Sequence, residues 1–264
     1  MKKDFLKSNK IGIFILSRYN SKRLKKKAGL KILGKTIIEI LIQRLLNFFD
    51  TKNLTICSSK TNNNIKFYKL VSKKFNIKVF FGNEKNVLKR IIDCMKLNRI
   101  KHFVRVTGDN PLTDPSAILN LANHHIKRGN DYTYTESLPI GLRPEIFSLK
   151  ALEKNYKFIE DLNSTEYLTY FFIRKDLYKI QKVNLSKKFK NQDKLSISID
   201  TKKDFLLLKK MMKYYRNILI KNNEIISYLK KNSNQKIIKK KIFLKTKKYN
   251  VKYLFDNKKY IFLR

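Results

Sequence analysis

The chain has 264 residues, 42 % of them apolar, enough for one large α/β domain with a sizeable core. Lysine and arginine number 61 against 20 acids, a net charge of +41, while glycine (7), proline (4) and tryptophan (0) are scarce. Two cysteines exclude a disulfide framework, no stretch approaches the ~20 apolar residues of a membrane span, and the six-residue apolar run Ile11 to Leu16 is too short for the ~7–15-residue core of a secretory signal. A cytoplasmic protein with buried thiols at Cys57 and Cys94 is the expectation. The charge has two readings. One is a nucleic acid or other polyanion as partner. The other is drift, because Lys, Asn, Ile, Phe and Tyr are abundant together, as AT-rich codons give. A nucleic-acid binder concentrates its charge on one face, whereas these lysines are spread along the whole chain, so nucleic acid is the weaker reading.

Ile11 to Leu16 reads as a buried strand, followed by a loop carrying Arg18, Lys22, Arg23, Lys25, Lys26 and Lys27. Apolar residues at 37, 38, 41, 42, 45 and 46 predict a helix over Ile37–Phe49. Strand and helix then alternate: Asn53–Cys57 as strand, Asn62–Lys74 as helix, Ile77–Phe81 as strand, Asn86–Leu97 as helix, His102–Val106 as strand. Asp114 caps a further helix, with Pro115 at its first position and an end near Lys127. This rhythm predicts a mostly parallel sheet with helices on both faces, with ligands bound beyond the carboxyl ends of the strands. Arg18, Ser58, Gly82 and Asp109 all follow strands. The second half is less regular. Strands are expected at Asp131–Thr135, Glu145–Phe147, Leu177–Asn184 and Lys194–Ile199, and a loop at Ser137–Pro144. Helices are expected from Ser148 through Tyr156, over Ser164–Arg174, from Thr201 to about Tyr215 and over Asn223–Lys231. The expected division is a domain over 1–231 and a basic extension over 232–264, with a hairpin candidate at Val251–Phe255 and Tyr260–Leu263.

Three patterns carry chemistry. A loop of cations at a strand end can neutralise a triphosphate, whose charge is about −4. Asp109, in Gly108-Asp109-Asn110-Pro111, is a carboxylate at a strand end, placed to hold Mg²⁺ on phosphates, although the same tetrapeptide is good turn chemistry. A second acid is needed, and Asp200 ends another expected strand. Gly29 to Thr36 matches the phosphate-loop pattern of two glycines four apart followed by Lys35-Thr36. That pattern works only directly after a strand, and twelve residues separate Leu16 from Gly29, with bulky apolar residues inside it. No Cys/His spacing suggests zinc, and adjacent His124 and His125 point apart on a helix.

These pieces together resemble the cytidylyltransferases that activate acidic sugars. The likeness is to the spore-coat polysaccharide biosynthesis type, similar in turn to 3-deoxy-manno-octulosonate and acylneuraminate cytidylyltransferases. It is carried over roughly 11–215 by Arg18-Tyr19-Asn20-Ser21-Lys22-Arg23-Leu24-Lys25-Lys26-Lys27, by Leu33-Gly34-Lys35-Thr36-Ile37-Ile38-Glu39, and by Phe81-Gly82-Asn83-Glu84-Lys85-Asn86-Val87-Leu88. Arg105 to Pro115, Pro139 to Ser148 and Ser198 to Asp204 complete it. The resemblance implies a Rossmann-like nucleotidyltransferase fold. It also implies transfer of CMP from CTP to a sugar with release of pyrophosphate, for surface glycan synthesis. Arg18, Lys27 and Asp109 would be catalytic. Ser17, Arg18, Ser21, Arg23, Lys27, Ser58, Gly82 and Gly108 would bind nucleotide. Arg105, Glu145 and Glu166 would face the acceptor, and Asp109 and Asp200 would hold Mg²⁺. Relatives of this type are commonly dimers, so a homodimer is compatible with it. A nucleic-acid binder and a catalytically degenerate scaffold are the alternatives. The chain departs from the pattern at Lys25 (usually proline), Lys26 (commonly glycine), Phe81 (arginine) and Arg143 (often aspartate).

Overall fold

The structure is a computed structural model that describes residues 2–21, 23–159, 162–172, 175–185, 192, 195–232, 241–245, 250–254 and 261–262. After a short helix α1 (Lys2–Ser8), strand β1 (Ile11–Leu16) is buried along all but its last residue. A strand packed on both faces needs this apolar continuity. A two-stranded hairpin, β2 (Lys31–Ile32) and β3 (Lys35–Thr36), leads into α2 (Ile37–Leu46). Then follow β4 (Leu54–Ser59), α3 (Asn62–Phe75), β5 (Lys78–Gly82), α4 (Val87–Leu97), β6 (His102–Thr107) and α5 (Pro115–Arg128). The second half adds β7 (Tyr132–Tyr134), β8 (Glu145–Ser148), α6 (Leu149–Tyr156), β9 (Ile180–Lys182), α7 (Lys202–Tyr215) and α8 (Asn222–Asn232). Near the C-terminus β10 (Lys241–Lys245), β11 (Asn250–Leu254) and β12 (Ile261–Phe262) pair in order as an antiparallel sheet. The expected turn Asp256–Lys259 lies outside the described residues.

The main sheet has the order β5-β4-β1-β6-β8-β7-β9. Its first four strands are parallel, and β8 alone runs against the rest. Successive side chains of β1 serve opposite faces. Ile11, Ile13 and Ile15 pack with α2, α3 and α5, through residues such as Leu41, Tyr68 and Leu121. Phe14 packs on the other face with Leu88 and Ile91 of α4 and Leu152 of α6. A third cluster seats α7 and α8 against Ile37, Ile40 and Leu112. Arg44 of α2 fastens it, donating to Thr113 O at 3.1 Å and Ile220 O at 2.8 Å. Among the described residues no helix is long and apolar enough to cross a membrane.

The chain lays β4 and β5 on one side of β1 and then returns to place β6 on the other. The carboxyl ends of β1 and β6 therefore form the switch point at which open α/β sheets bind ligands.

Two expectations are corrected, and one reading the sequence argued against is replaced by a different structure: the Gly29–Thr36 pattern is a hairpin and not a phosphate loop. Leu33 and Gly34 turn the hairpin at φ 49° and 77°, the two positive values that a tight primed turn requires. Thr36 and Glu39 then cap α2 reciprocally. Of the expected strand Lys194–Ile199, the described residues 195–199 form no strand. Ser196 bridges Ile140 alone, and its neighbours bond to loop atoms, Ile140 N donating to Leu195 O and Ile199 N to Asp109 O. Ser164–Arg174 is replaced by a 3-10 helix, Leu162–Phe172, and residues 173–174 lie outside the described residues. Thr165 within it accepts from Val87 N at 2.8 Å and so satisfies the start of α4.

His102 and His125, which the sequence leaves unpaired, meet behind the sheet with Nδ1 and Nε2 3.0 Å apart, and His125 Nδ1 lies 2.9 Å from Thr133 Oγ1. Burial and the neighbouring His102 push the His125 imidazole down to about 3. An unfolded chain takes up protons on histidine from ~6.5 downwards, which the folded chain refuses. Stability is therefore expected to fall as pH drops from about 6.5 towards 3. A His125→Gln variant should show a shallower slope of urea midpoint across that window; parallel slopes would contradict the buried neutral pair.

Candidate active site

A cleft of about 540 Å³ opens at the switch point. One wall is the basic loop. Ser17 follows β1 directly, and its Oγ accepts from Tyr68 Oη at 2.6 Å. Tyr19 N donates to Asn64 Oδ1 at 2.8 Å, and Asn64 Nδ2 in turn donates to Ser59 O and Oγ. The start of α3 thus ties the loop to the end of β4. The loop closes in a 3-10 turn, Lys27–Gly29, entered through Lys26 in the left-handed region at φ 53°. The opposite wall begins at Gly108. A Cβ there would lie 2.1 Å from Ser17 Oγ, so only glycine lets the ends of β1 and β6 approach this closely.

Lys27 joins the walls. Its Nζ donates to Asp109 Oδ2 (3.1 Å), to Ile199 O (2.6 Å) and to Asp200 Oδ1 (3.4 Å), and its side chain is only 12 % exposed. Arg23 Nη2 adds a contact of 2.8 Å to Asp200 Oδ1. Burial alone would raise the Asp109 carboxyl; the Lys27 ammonium and the Thr107 hydroxyl outweigh it and hold the group below its ordinary value. Asp109 is therefore anionic at neutral pH. Further back on β6, Arg105 Nη1 donates to Glu145 Oε2 (2.5 Å) and Thr169 Oγ1 (3.2 Å).

The cleft gathers Ser17, Arg18, Ser21, Arg23, Lys27, Arg105, Gly108 and Asp109 from the expected set, and Asp200 reaches it through Lys27 and Arg23. Three members stand elsewhere. Ser58 is fully buried within β4, and the alternation of the strand turns its neighbour Ser59 to the cleft instead. Glu145 lies behind Arg105, its oxygens taken by Arg105, Tyr132 and Thr169, so it props the arginine rather than lining the wall. Gly82 ends β5, where a Cβ would meet Arg90 Cγ at 2.8 Å; glycine there makes room for that arginine. Glu166 lies in the Leu162–Phe172 helix with its side chain outside the described residues, and Lys22 is also outside them.

Sequence reasoning missed Arg90, Glu84, Thr169 and Tyr170, which also line the cleft. Arg90 carried a signal, as a charged residue set among the apolar face of α4 formed by Ile91, Cys94 and Met95.

The cytidylyltransferase family model matches residues 12–253. The chain belongs to the cytidylyltransferase family. It is therefore a nucleotidyltransferase. It is 32 % identical over 229 residues to an uncharacterized protein of Methanocaldococcus jannaschii, covering 86 % of this chain and 93 % of that one. It is 27 % identical over 232 residues to the spore coat polysaccharide biosynthesis protein SpsF of Bacillus subtilis, covering 85 % and 95 %. The structure of a cytidylyltransferase from Leptospira borgpetersenii serovar Hardjo-bovis superposes with a TM-score of 0.77 at 25 % identity, covering 87 % of this chain and 99 % of that one.

The cytidylyltransferase loop carries a strain of its own. A left-handed non-glycine residue costs roughly 1–2 kcal/mol, part of which glycine gives back through its freer unfolded chain. Lys26→Gly is expected to raise the unfolding free energy by about 1 kcal/mol in urea titration; a variant no more stable than the parent would show that the loop holds Lys26 without strain.

Proposed function

We propose that the chain is a CTP:sugar cytidylyltransferase, transferring CMP from CTP to a sugar hydroxyl in the cytoplasm for surface glycan synthesis. The observation that carries this reading is the meeting, at one switch-point cleft, of the cationic loop with two carboxylates on the same lysine, Asp109 just after β6 and Asp200 just before α7. The likeness to a spore coat polysaccharide biosynthesis protein supports a sugar as acceptor.

Arg18, Arg23 and Lys27 sit where the triphosphate's charge of about −4 can be met by fixed cations. The sugar oxygen attacks the α-phosphorus, the bond from that phosphorus to the bridging oxygen breaks, and pyrophosphate leaves; the hydroxyl proton passes to solvent. Charge grows on the departing pyrophosphate, where Lys27 and Arg18 stabilise it most. Among the described residues no cluster of three or more His, Cys, Asp or Glu forms a metal cage. Asp109 and Asp200 nevertheless both reach one cation, the Lys27 ammonium, and a pair of carboxylates completed by phosphate oxygens suits Mg²⁺. Bound by them, Mg²⁺ would neutralise phosphate charge beside the α-phosphorus. Arg105, propped by Glu145 and flanked by Thr169, is placed to hold an acidic acceptor.

Asp109→Ala is expected to lower pyrophosphate release from CTP by at least about 100-fold, with Mg²⁺ and a panel of acidic sugars present, while the melting temperature moves by only a few degrees. Unchanged turnover would overturn the assignment of Asp109.

A further inference from the structure

A second cavity, of about 470 Å³, opens at the far end of the sheet from the catalytic cleft. The six residues of β1 separate the two, roughly 20 Å at the rise of a strand. Its floor is one face of the pleat: Gly12 and Phe14 of β1, Thr55 of β4 and Lys78 of β5, the last two being register partners. Leu6 of α1 and Ile100, in the turn after α4, add apolar wall. Gly12 is needed for this packing, since a Cβ there would lie 2.9 Å from Phe14 Cε1 and 3.2 Å from Ile100 Cγ1. The rim is preformed. Lys10 and Arg99 take left-handed backbone, at φ 51° and 54°, and Lys10 O accepts from Lys101 N at 2.9 Å and His102 N at 3.2 Å. The two turns beside the mouth are thereby tied together.

Five cations from five separate segments face this space: Lys7 of α1, Lys10 before β1, Lys52 in the 3-10 turn Thr51–Asn53, Lys78 of β5 and Arg99 after α4. Lys78 Nζ donates to Asn98 Oδ1 at 3.0 Å, and among the described residues no carboxylate pairs with any of the five. The two acids of the wall, Asp4 and Asp50, are engaged in interactions of their own. Lysines are abundant on this chain, so their number alone decides nothing. Thr55 decides more. It is only 4 % exposed, it lines the cavity, and its hydroxyl takes no hydrogen bond among the described residues. A buried hydroxyl without a partner is unfavourable, so it marks a place where a polar group arrives from outside.

Charge and shape choose the ligand. A carboxylate offers two oxygens and one charge, fewer than these cations and a hydroxyl can use. A phosphate ester offers three terminal oxygens and about two charges, and ammonium groups on flexible stems suit it. Leu6, Phe14 and Ile100 supply apolar contact for an organic body, and the volume lies within the ~300–1,000 Å³ of small-molecule sites. We propose that this cavity is a second ligand site, separate from the catalytic cleft, which binds a phosphate ester of about mononucleotide size. Lys78 and Thr55, side by side on adjacent strands, hold its phosphate, and the apolar wall takes its body. The proposal does not rest on the CTP reading.

The test is hydrogen–deuterium exchange of the full chain with AMP, ribose 5-phosphate and inorganic sulfate, combined with calorimetric titration of the same three. AMP and ribose 5-phosphate should slow exchange over 2–12, 50–56 and 97–101. Lys78→Gln should weaken that binding about 10-fold and Thr55→Val about 5-fold. Lys78 is exposed, and valine keeps the shape of threonine, so both variants should melt within a few degrees of the parent. Thr55→Val also separates a built site from a diffuse basic surface, because it changes no charge. Protection by the esters that is absent from these three segments would overturn the proposal, as would affinities unchanged in both variants. Sulfate binding as tightly as the esters would mean an adventitious ion only, and would overturn it too.

Discussion

The site depends on one ammonium group. Lys27 Nζ binds Asp109, Asp200 and the carbonyl of Ile199, and so gathers three segments distant in sequence: the end of the basic loop, the end of β6, and the extended run before α7. A charge this far from water is tolerable only when its donors are matched, and here all three partners accept. The arrangement explains why the run before α7 is held without being a strand. Its fastenings are the Ser196 bridge to Ile140, the bond of Ile199 to Asp109, and Lys27 itself.

The sheet makes the convergence possible. β1 and β6 are neighbours over six residues, so the segments that leave them start side by side. Gly108 lets them touch. Helices on both faces hold this edge rigid, and preorganised charge at a rigid edge can act on a transferring phosphoryl group without costly rearrangement.

The first half of the fold was legible because its signals are local. Alternating apolar runs and capped amphipathic segments give β1, β4, α3, β5, α4, β6 and α5 within two residues at either end, and Asp114 with Pro115 starts α5 as read, whereas α2 ends at Leu46, short of the expected Phe49, and the β2–β3 hairpin was not read. The misreadings share a cause in tertiary contact. Lys194–Ile199 has the composition of a strand, but its partners are loop atoms. Glu145 follows a motif and ends a turn, yet only the packing of Tyr132 and Thr169 shows that it supports Arg105. Ser58 and Ser59 differ by one step of pleat, which sequence cannot register without knowing which face of β4 meets the cleft. The departures from the family pattern also gain a physical meaning. Lys26 takes a left-handed conformation suited to glycine, and Arg143 turns its Nε to Leu138 O within its own loop. Phe81 packs against the main core instead of extending a charge into the site.

The central claim is that the cationic loop and the two carboxylates form one nucleotide site rather than a patch in a basic surface. Calorimetric titration with CTP, ATP, UTP and GTP, with and without Mg²⁺ at moderate salt, tests it most directly, with a short DNA duplex as the polyanion control. Binding selective for CTP and strengthened by Mg²⁺ is the predicted result. Equal binding of all four triphosphates, with DNA tighter than any of them and falling steeply with salt, would contradict it.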